Sequence, residues 1–365
     1  MKKALVCCLL CLLTFVLAAC SVPGVPATVA TLPVVGAAPS PTPLPSIRFP
    51  QDEAPHSDLT EWWYYTGHLS AVASDGQHHQ YGFELVFFQL LRSNLPPYYA
   101  AQFAISDLTN GQFHYDQRLQ IEPNAIIPNG TSTAGFHVSL GNWSAQGLNG
   151  HDDLQAVMDN YTLNLDLHAL TPPVLHNGTG LISLGAGGSS YYYSRPLMAV
   201  TGTLLDHQQT LQVTGNAWMD HQWGNFLALG GGGWDWFSIQ LNNQSEMMVY
   251  VIRNASGQIS SLYGDYLNTE GKVTQLPSNT LSVKALNHWI SPLTAINYPS
   301  GWQIRVNDPH LQLSLTLQPE LKNQELVALQ STGNIYWEGA VGIQGQEAGH
   351  AVQGQGYVEL TGYHK

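Results

Sequence analysis

Two stretches of this chain fix its secondary structure before anything else about it. Tyr161, Leu163, Leu165 and Leu167 alternate with Thr162, Asn164, Asp166 and His168, and Leu311, Leu313, Leu315 and Leu317 alternate with Gln312, Ser314, Thr316 and Gln318. A period of two places the apolar set on one face of a strand, which a helix of 3.6 residues per turn cannot do. Between such runs stand Asp75-Gly76, Asn110-Gly111, Asn129-Gly130, Asn149-Gly150, Asn177-Gly178 and Ser256-Gly257, pairs that accept positive φ and close hairpins. The best helical stretch, Pro319 to Leu329, is short and fits a loop equally well. The expected fold class is all-β and antiparallel, closed into barrels or curled sheets, because closure removes exposed edges.

The N-terminus follows different rules. Lys2 and Lys3 lead into an apolar run from Ala4 to Leu17, then Leu17-Ala18-Ala19-Cys20, which has the form of a bacterial lipobox. The run is shorter than the ~20 residues of a membrane-spanning helix and ends in small residues, so residues 1–19 are expected to be a signal peptide and Cys20 the lipidated residue. Several acyl chains on one cysteine give the stable membrane anchor that a single chain does not. Ser21 to Ser46 is rich in Pro, Ala, Val and Ser and carries no charge, the composition of an extended tether from 20 to 46. All four cysteines (Cys7, Cys8, Cys11, Cys20) lie in this leader region, so the folded part has no disulfide and is held by its cores. It is too long for one core, and two domains are expected, 47–204 and 205–365. Lys and Arg number 12 against 25 Asp and Glu, with no basic run, which argues against nucleic acid as a partner.

Polar residues concentrate in aromatic-acidic clusters: Glu61-Trp62-Trp63-Tyr64-Tyr65, Trp218-Met219-Asp220-His221-Gln222-Trp223, and Trp234-Asp235-Trp236-Phe237. Strand parity puts Trp218 and Asp220 on one face and Met219, His221 and Trp223 on the other, so Asp220 and His221 do not pair directly; Asp235 shares a face with Phe237, Ile239 and Leu241. The plain reading of any single tryptophan is a barrel plug, but taken jointly the three clusters suggest a shared pocket lined by Glu61, Trp62, Trp63, Trp218, Trp223, Trp234, Asp235 and Trp236. Glu84 adds a carboxyl inside the apolar run Tyr81 to Gln89. It must be paired, protonated or solvated in a cavity, and the choice lies between an ion pair with Arg92 or another arginine and a place facing ligand.

Six segments, taken in order, resemble the AttH/carotenoid 1,2-hydratase family: His56 to Gly67, Ala100 to Ala104, Tyr193 to Leu197, Gly215 to Gly224, Gly233 to Trp236 and Tyr336 to Val341. The resemblance implies two lipocalin-like domains packed together, with a substrate space at or near their interface by Asp220. Members of that family differ in activity, from carotenoid hydratases to fungal cyclases. Hydration of an isolated alkene requires a neutral carboxylic acid, aromatic faces for a carbocation and one positioned water. Asp220 or Asp235 is the candidate acid, the tryptophans face the cation, and His221 or Tyr250 holds the water. The hydratases carry Tyr-x-Asp after the Trp-Asp-Trp segment, whereas this chain has Tyr250-Val251-Ile252.

Other chemistries lack their residues. There is no Gly-x-Ser-x-Gly elbow and no His-Glu-x-x-His or cysteine ligand set; His78-His79 stands beside a turn and is expected to be solvated. Gly230-Gly231-Gly232-Gly233 precedes a strand, so it fits a hairpin or mouth loop and not a phosphate cradle. The expectation is an exported, membrane-tethered protein that encloses an apolar, isoprenoid or lipid-like small molecule without cofactor or metal. It is either a hydratase, isomerase or cyclase, or a carrier or sensor with no chemistry.

Overall fold

A computed structural model describes residues 44–121, 134–183, 188–226 and 232–363. Cys20, the signal peptide, nearly all of the tether, Asn129-Gly130 and Gly230-Gly231 lie outside the described residues. The residues from Ser46 onward form one compact unit. Its first sheet has twelve strands: β1 (Thr60–Val72), β2 (His78–Leu90), β3 (Tyr98–Asp107), β4 (Gln112–Ile121), β5 (Phe136–Leu140), β6 (Trp143–Leu148), β7 (His151–Met158), β8 (Tyr161–Ala169), β9 (Val174–Leu175), β10 (Leu181–Ser183), β11 (Ser189–Asp206) and β12 (Gln209–Gly224). The second has ten: β13 (Gly233–Leu241), β14 (Glu246–Arg253), β15 (Ile259–Leu267), β16 (Val273–Leu276), β17 (Leu281–Ile290), β18 (Asn297–Asp308), β19 (Leu311–Pro319), β20 (Glu325–Ala328), β21 (Asn334–Glu347) and β22 (His350–Leu360).

All described pairings are antiparallel. The first sheet runs β4-β3-β2-β1-β12-β11-β8-β7-β6-β5 and the second β16-β15-β14-β13-β22-β21-β19-β18-β17. Each curls until its ends approach, β4 near β5 and β15 near β17, giving two nearly closed, barrel-like sheets. The alternating runs became β8 and β19, with Leu163, Leu167, Leu315 and Leu317 fully buried. Gly76, Gly111, Gly150 and Gly257 take positive φ in hairpin turns, and Asn149 joins Gly150 there. Asn177-Gly178 instead forms a short 3-10 turn. Pro319 to Leu329 contains no helix: it is the end of β19, a loop and β20.

Among the described residues the chain passes between the sheets once, after Gly224. The expected division at 204/205 falls inside β11, because β12 turns back and pairs with β1 from Thr60↔Gly224 to Ser70↔Thr214. Each sheet fills its own interior with apolar side chains. A third apolar cluster, including Tyr64, Val86, Tyr192, Trp218, Trp236, Met248, Tyr250 and Tyr357, lies where the sheets meet. Close approach there depends on Gly82, since a Cβ at that position would stand 2.3 Å from the Tyr357 hydroxyl.

Candidate functional site

The site arises from strand parity at the middle of the first sheet. In β1, Trp62 and Tyr64 point outward to the second sheet, while Glu61, Trp63 and Tyr65 point into the first barrel. In β12, Trp218, Asp220 and Gln222 point outward, and Met219, His221 and Trp223 inward. Because β13, β14, β21 and β22 present Trp234, Trp236, Tyr250, Glu338 and Glu359 to the same space, a cavity of about 90 Å³ forms between the sheets. Four carboxyl groups line it, those of Glu84, Asp220, Glu338 and Glu359, and no Lys or Arg is among its described lining residues.

The four are held differently. Asp220 accepts hydrogen bonds from the Tyr192 hydroxyl (2.6 Å), the Trp218 indole N–H (2.7 Å) and the Ser194 hydroxyl, and Trp236 in turn donates to Tyr192 (2.9 Å). Glu84 and Glu338 each have one phenol partner, Tyr336 for Glu84 and Tyr64 for Glu338, both at 2.9 Å. Their Oε2 atoms have no hydrogen-bond partner among the described residues. Glu359 accepts from the Trp234 indole (2.8 Å) and lies opposite Glu338 across the β21–β22 pair. Burial pushes the Glu84 carboxyl above the usual range against the pull of the Tyr336 phenol, with a smaller push from Glu359; burial also pushes Glu338 up, and there the Glu84 and Glu359 carboxylates push further than the Tyr64 phenol pulls back. Burial likewise raises Glu359 to about 7 against the pull of Trp234, and raises Asp220 against the opposing effects of His176 and its three donors. With no Lys or Arg among the described lining residues, Glu84, Glu338 and Glu359 reduce their charge by holding protons.

On the other face of the same strands, charges are paired. Glu61 Oε1 accepts from His221 Nε2 and His56 Nδ1, both at 2.8 Å, and Glu61 Oε2 accepts from the His56 backbone N–H (2.8 Å) and Gln89 (3.1 Å). Trp223 stacks on His56 and Trp63 on His221. Burial lowers His221 more than Glu61 raises it. His56 is raised to about 9, because hydrogen bonds and charge from Asp52 and Glu61 together outweigh its burial.

A family model described as AttH-like matches residues 40–363. The chain belongs to the AttH-like family. It is 28% identical to a Nitrosomonas europaea protein assigned as AttH, whose structure superposes with a TM-score of 0.77 over 88% of this chain and 98% of that one. Kievitone hydratase from Nectria haematococca shares the fold at a TM-score of 0.68 and 19% identity, over 87% and 93% of the two chains. By sequence, the dehydratase asqC of Emericella nidulans is 23% identical over 253 residues, 64% of this chain and 70% of its own.

In this AttH-like chain the expected site residues divide. Asp220, Tyr250, Trp62, Glu84, Trp234 and Trp236 line the cavity, and Trp218 stands behind Asp220. Glu61, Trp63, His221 and Trp223 do not: the parity that separates His221 from Asp220 turns all four into the first barrel, so His221 cannot hold water at the cavity. Asp235 points into the second barrel, where Arg253 (2.9 Å) and Tyr363 (2.9 Å) hold it, which removes it as a proton donor. Glu84 is not paired with Arg92, whose guanidinium donates to the Leu91 carbonyl (2.7 Å) and the Leu59 carbonyl. His79 is buried and stacks on Tyr81, while His78 is exposed.

Sequence reasoning missed Glu338 and Glu359. Both carried the signal that marked Glu84, a carboxylate among large apolar residues, in Tyr336-Trp337-Glu338 and Tyr357-Val358-Glu359-Leu360. Ile252, standing where the resembling hydratases carry an acid, belongs to the apolar cluster around the cavity. For a metal, the AttH-like chain offers His56, Glu61 and His221, whose ligand atoms lie within 4.8 Å of one another, and at the surface His151, Asp166 and His168. The 2.8 Å contacts among the first three are hydrogen-bond lengths.

Proposed function

We propose that this protein adds water to, or removes it from, an apolar unsaturated molecule whose reacting end enters the cavity between the sheets. The observation that carries this reading is the convergence of four carboxyls, three of them buried, on an aromatic-lined space whose described lining holds no Lys or Arg. A neutral carboxyl is the donor that alkene protonation or hydroxyl departure needs, and the faces of Trp62, Trp234 and Trp236 stabilise the resulting carbocation. Glu338 and Glu84 are the preferred donors, since each keeps an oxygen free of hydrogen bonds. Asp220, which accepts three, is better suited to the anionic form that takes a proton from water. At about 90 Å³ the cavity is far below the ~300–1,000 Å³ of sites that swallow a whole drug-sized ligand. It therefore suits one branched terminus of an isoprenoid, with the remainder outside. The sequence likeness to a dehydratase supports water chemistry.

The test is Glu338→Gln assayed with acyclic isoprenoid alkenes and their tertiary alcohols. Turnover should fall at least 100-fold while the melting temperature holds, because the amide keeps the shape and delivers no proton. Full activity in a folded Glu338→Gln protein would remove Glu338 as donor, and full activity in Glu84→Gln as well would end the reading. Ile252 favours a second reading, a carrier or sensor. Mass spectrometry of the native-host protein would then find one retained apolar compound that the protein never converts.

We also propose that the chain is exported and anchored through Cys20, on the strength of the lipobox and the Pro-rich stretch after it. Cys20→Ala should move the protein from the membrane to the soluble fraction. Retention at the membrane would refute the anchor.

A further inference from the structure

Behind Asp220, away from the cavity, lies a line of polar groups that this mechanism does not yet use. The Ser194 hydroxyl bonds Asp220 Oδ1. His176 Nε2 lies 2.6 Å from Ser194 Oγ, and His176 Nδ1 lies 2.7 Å from Asp265 Oδ2. His176 and Ser194 are wholly buried and Asp265 nearly so (4% exposed). The line also crosses between the sheets: His176 sits in the 3-10 turn after β9, Ser194 in β11, and Asp265 in β15. It has the order of a serine–histidine–aspartate triad, but the hydroxyl is turned onto a second carboxyl and has no open side for a substrate, so nucleophilic chemistry at Ser194 does not follow.

We infer that His176, Ser194 and Asp220 form a proton relay, with Asp265 fixing the ring, that lets Asp220 present either a carboxylate or a neutral acid to the cavity. Two proton arrangements satisfy every contact. In one, His176 is a cation: Nδ1–H donates to Asp265, Nε2–H donates to Ser194 Oγ, and the Ser194 hydroxyl donates to Asp220, which is a carboxylate. In the other, the Nε2 proton has passed to Ser194 Oγ while the original Ser194 proton has passed to Asp220. His176 is then neutral and Asp220 is the acid. One N–H and one O–H bond break, two O–H bonds form, and no proton enters or leaves. The net charge of the group is the same in both arrangements, but the first buries three ionised groups, His176, Asp220 and Asp265, and the second only Asp265, so the hydrogen bonds along the line must offset the desolvation of the extra charge pair in the first. The titratable groups facing the relay are Asp265 and Tyr263 from β15, Asp220 from β12 and Tyr192 from β11, whose ring lies 4.0 Å from that of His176.

The relay's use in catalysis rests on the hydration reading, because the carboxylate form accepts the proton lost by an attacking water and the acid form returns it in dehydration. Its existence does not rest on that reading and is testable without substrate. Nitrogen-15 NMR of the full chain labelled at histidine, with the His176 signals identified by their loss in His176→Asn, reports the protonation of each ring nitrogen. The relay requires Nδ1 to be protonated while the Nε2 signal lies between the protonated and bare positions. Asp220→Asn, which cannot accept the proton, should drive that signal to one extreme. Ser194→Ala should do the same, and Ser194→Thr, which keeps the hydroxyl, should leave it intermediate. A bare Nδ1 beside a fully protonated Nε2 in the wild type would overturn the relay, making His176 a fixed donor, as would an Nε2 signal indifferent to Ser194→Ala. Either result with turnover intact removes the relay alone. An intermediate Nε2 signal in a protein that turns over no alkene or alcohol removes the hydration reading and leaves the relay standing.

Discussion

Asp220 and His221 are chain neighbours that face two different solutions to one electrostatic problem. On the His221 side, Glu61 is wholly buried and accepts hydrogen bonds from two imidazoles, an amide and a backbone N–H. On the Asp220 side, Glu84 and Glu338 are just as buried, with one phenol each and no cation in the described lining. A buried carboxyl is tolerated if it is paired or if it is protonated. Pairing yields a rigid strut, whereas protonation leaves a proton available for transfer. One step along a strand separates structure from chemistry here.

The largest difference between the faces should appear on removing charge. Glu61→Gln leaves an imidazolium at His56 without its nearer carboxylate, Glu61 at 2.8 Å against Asp52 at 3.6 Å, and it should cost about 3–5 kcal/mol of stability in urea unfolding, the usual effect of breaking a buried ion pair. Glu84→Gln at pH 5 should cost much less, since a neutral acid is replaced by a neutral amide. Equal losses from the two would erase the distinction.

Next in size are two pH dependences. His56 is raised from 6.5 to about 9, so its contribution to stability is fully present below about 6.5 and is lost as pH rises through 9. Glu359 is raised from 4.5 to about 7, so the folded state holds its proton more tightly and stability falls between those values as pH rises. His56→Gln should therefore flatten the stability curve from pH 6.5 to 9, and Glu359→Gln should flatten it from pH 4.5 to 7. At pH 8, Glu359→Gln should exceed the wild type by about 1–3 kcal/mol, at ~1.4 kcal/mol per pH unit. A Glu359→Gln protein less stable than wild type at that pH would show that the cavity face is paired after all.

The smallest effect is expected from Arg92→Gln. Arg92 bonds two backbone carbonyls and no carboxylate, so its loss should cost about 1 kcal/mol and leave the ionisation of Glu84, followed by carbon-13 NMR, where it was. A shift would mean that Arg92 and Glu84 are coupled.

The strands and their parity were legible in the sequence because alternation is a local property: Leu311 to Leu317 became β19, and the faces assigned to Trp218, Asp220 and His221 are those observed. What was not legible is which face meets the other sheet. Tyr81 to Gln89 is apolar on both sides, so nothing local tells Glu84 whether an arginine, solvent or a second domain lies opposite. Its partner Tyr336 is 252 positions away, and the partner of Glu338, Tyr64, is 274 away. The boundary expected at 204/205 cuts the β11–β12 hairpin, and what ties that hairpin into the first sheet, β12 on β1 and β11 on β8, is pairing between strands that no local pattern shows. Of the four-residue run at Gly230, the first two glycines lie outside the described residues, and Gly233 opens β13.

The single passage of the chain from Gly224 to Gly233 joins two sheets that each supply half of the acids around the cavity, Glu84 and Asp220 from one and Glu338 and Glu359 from the other. That link keeps the halves at an effective concentration no mixture of free pieces would match. If the polypeptide were severed there, activity would become second order in the two fragments. Dilution would then abolish turnover without altering a single side chain.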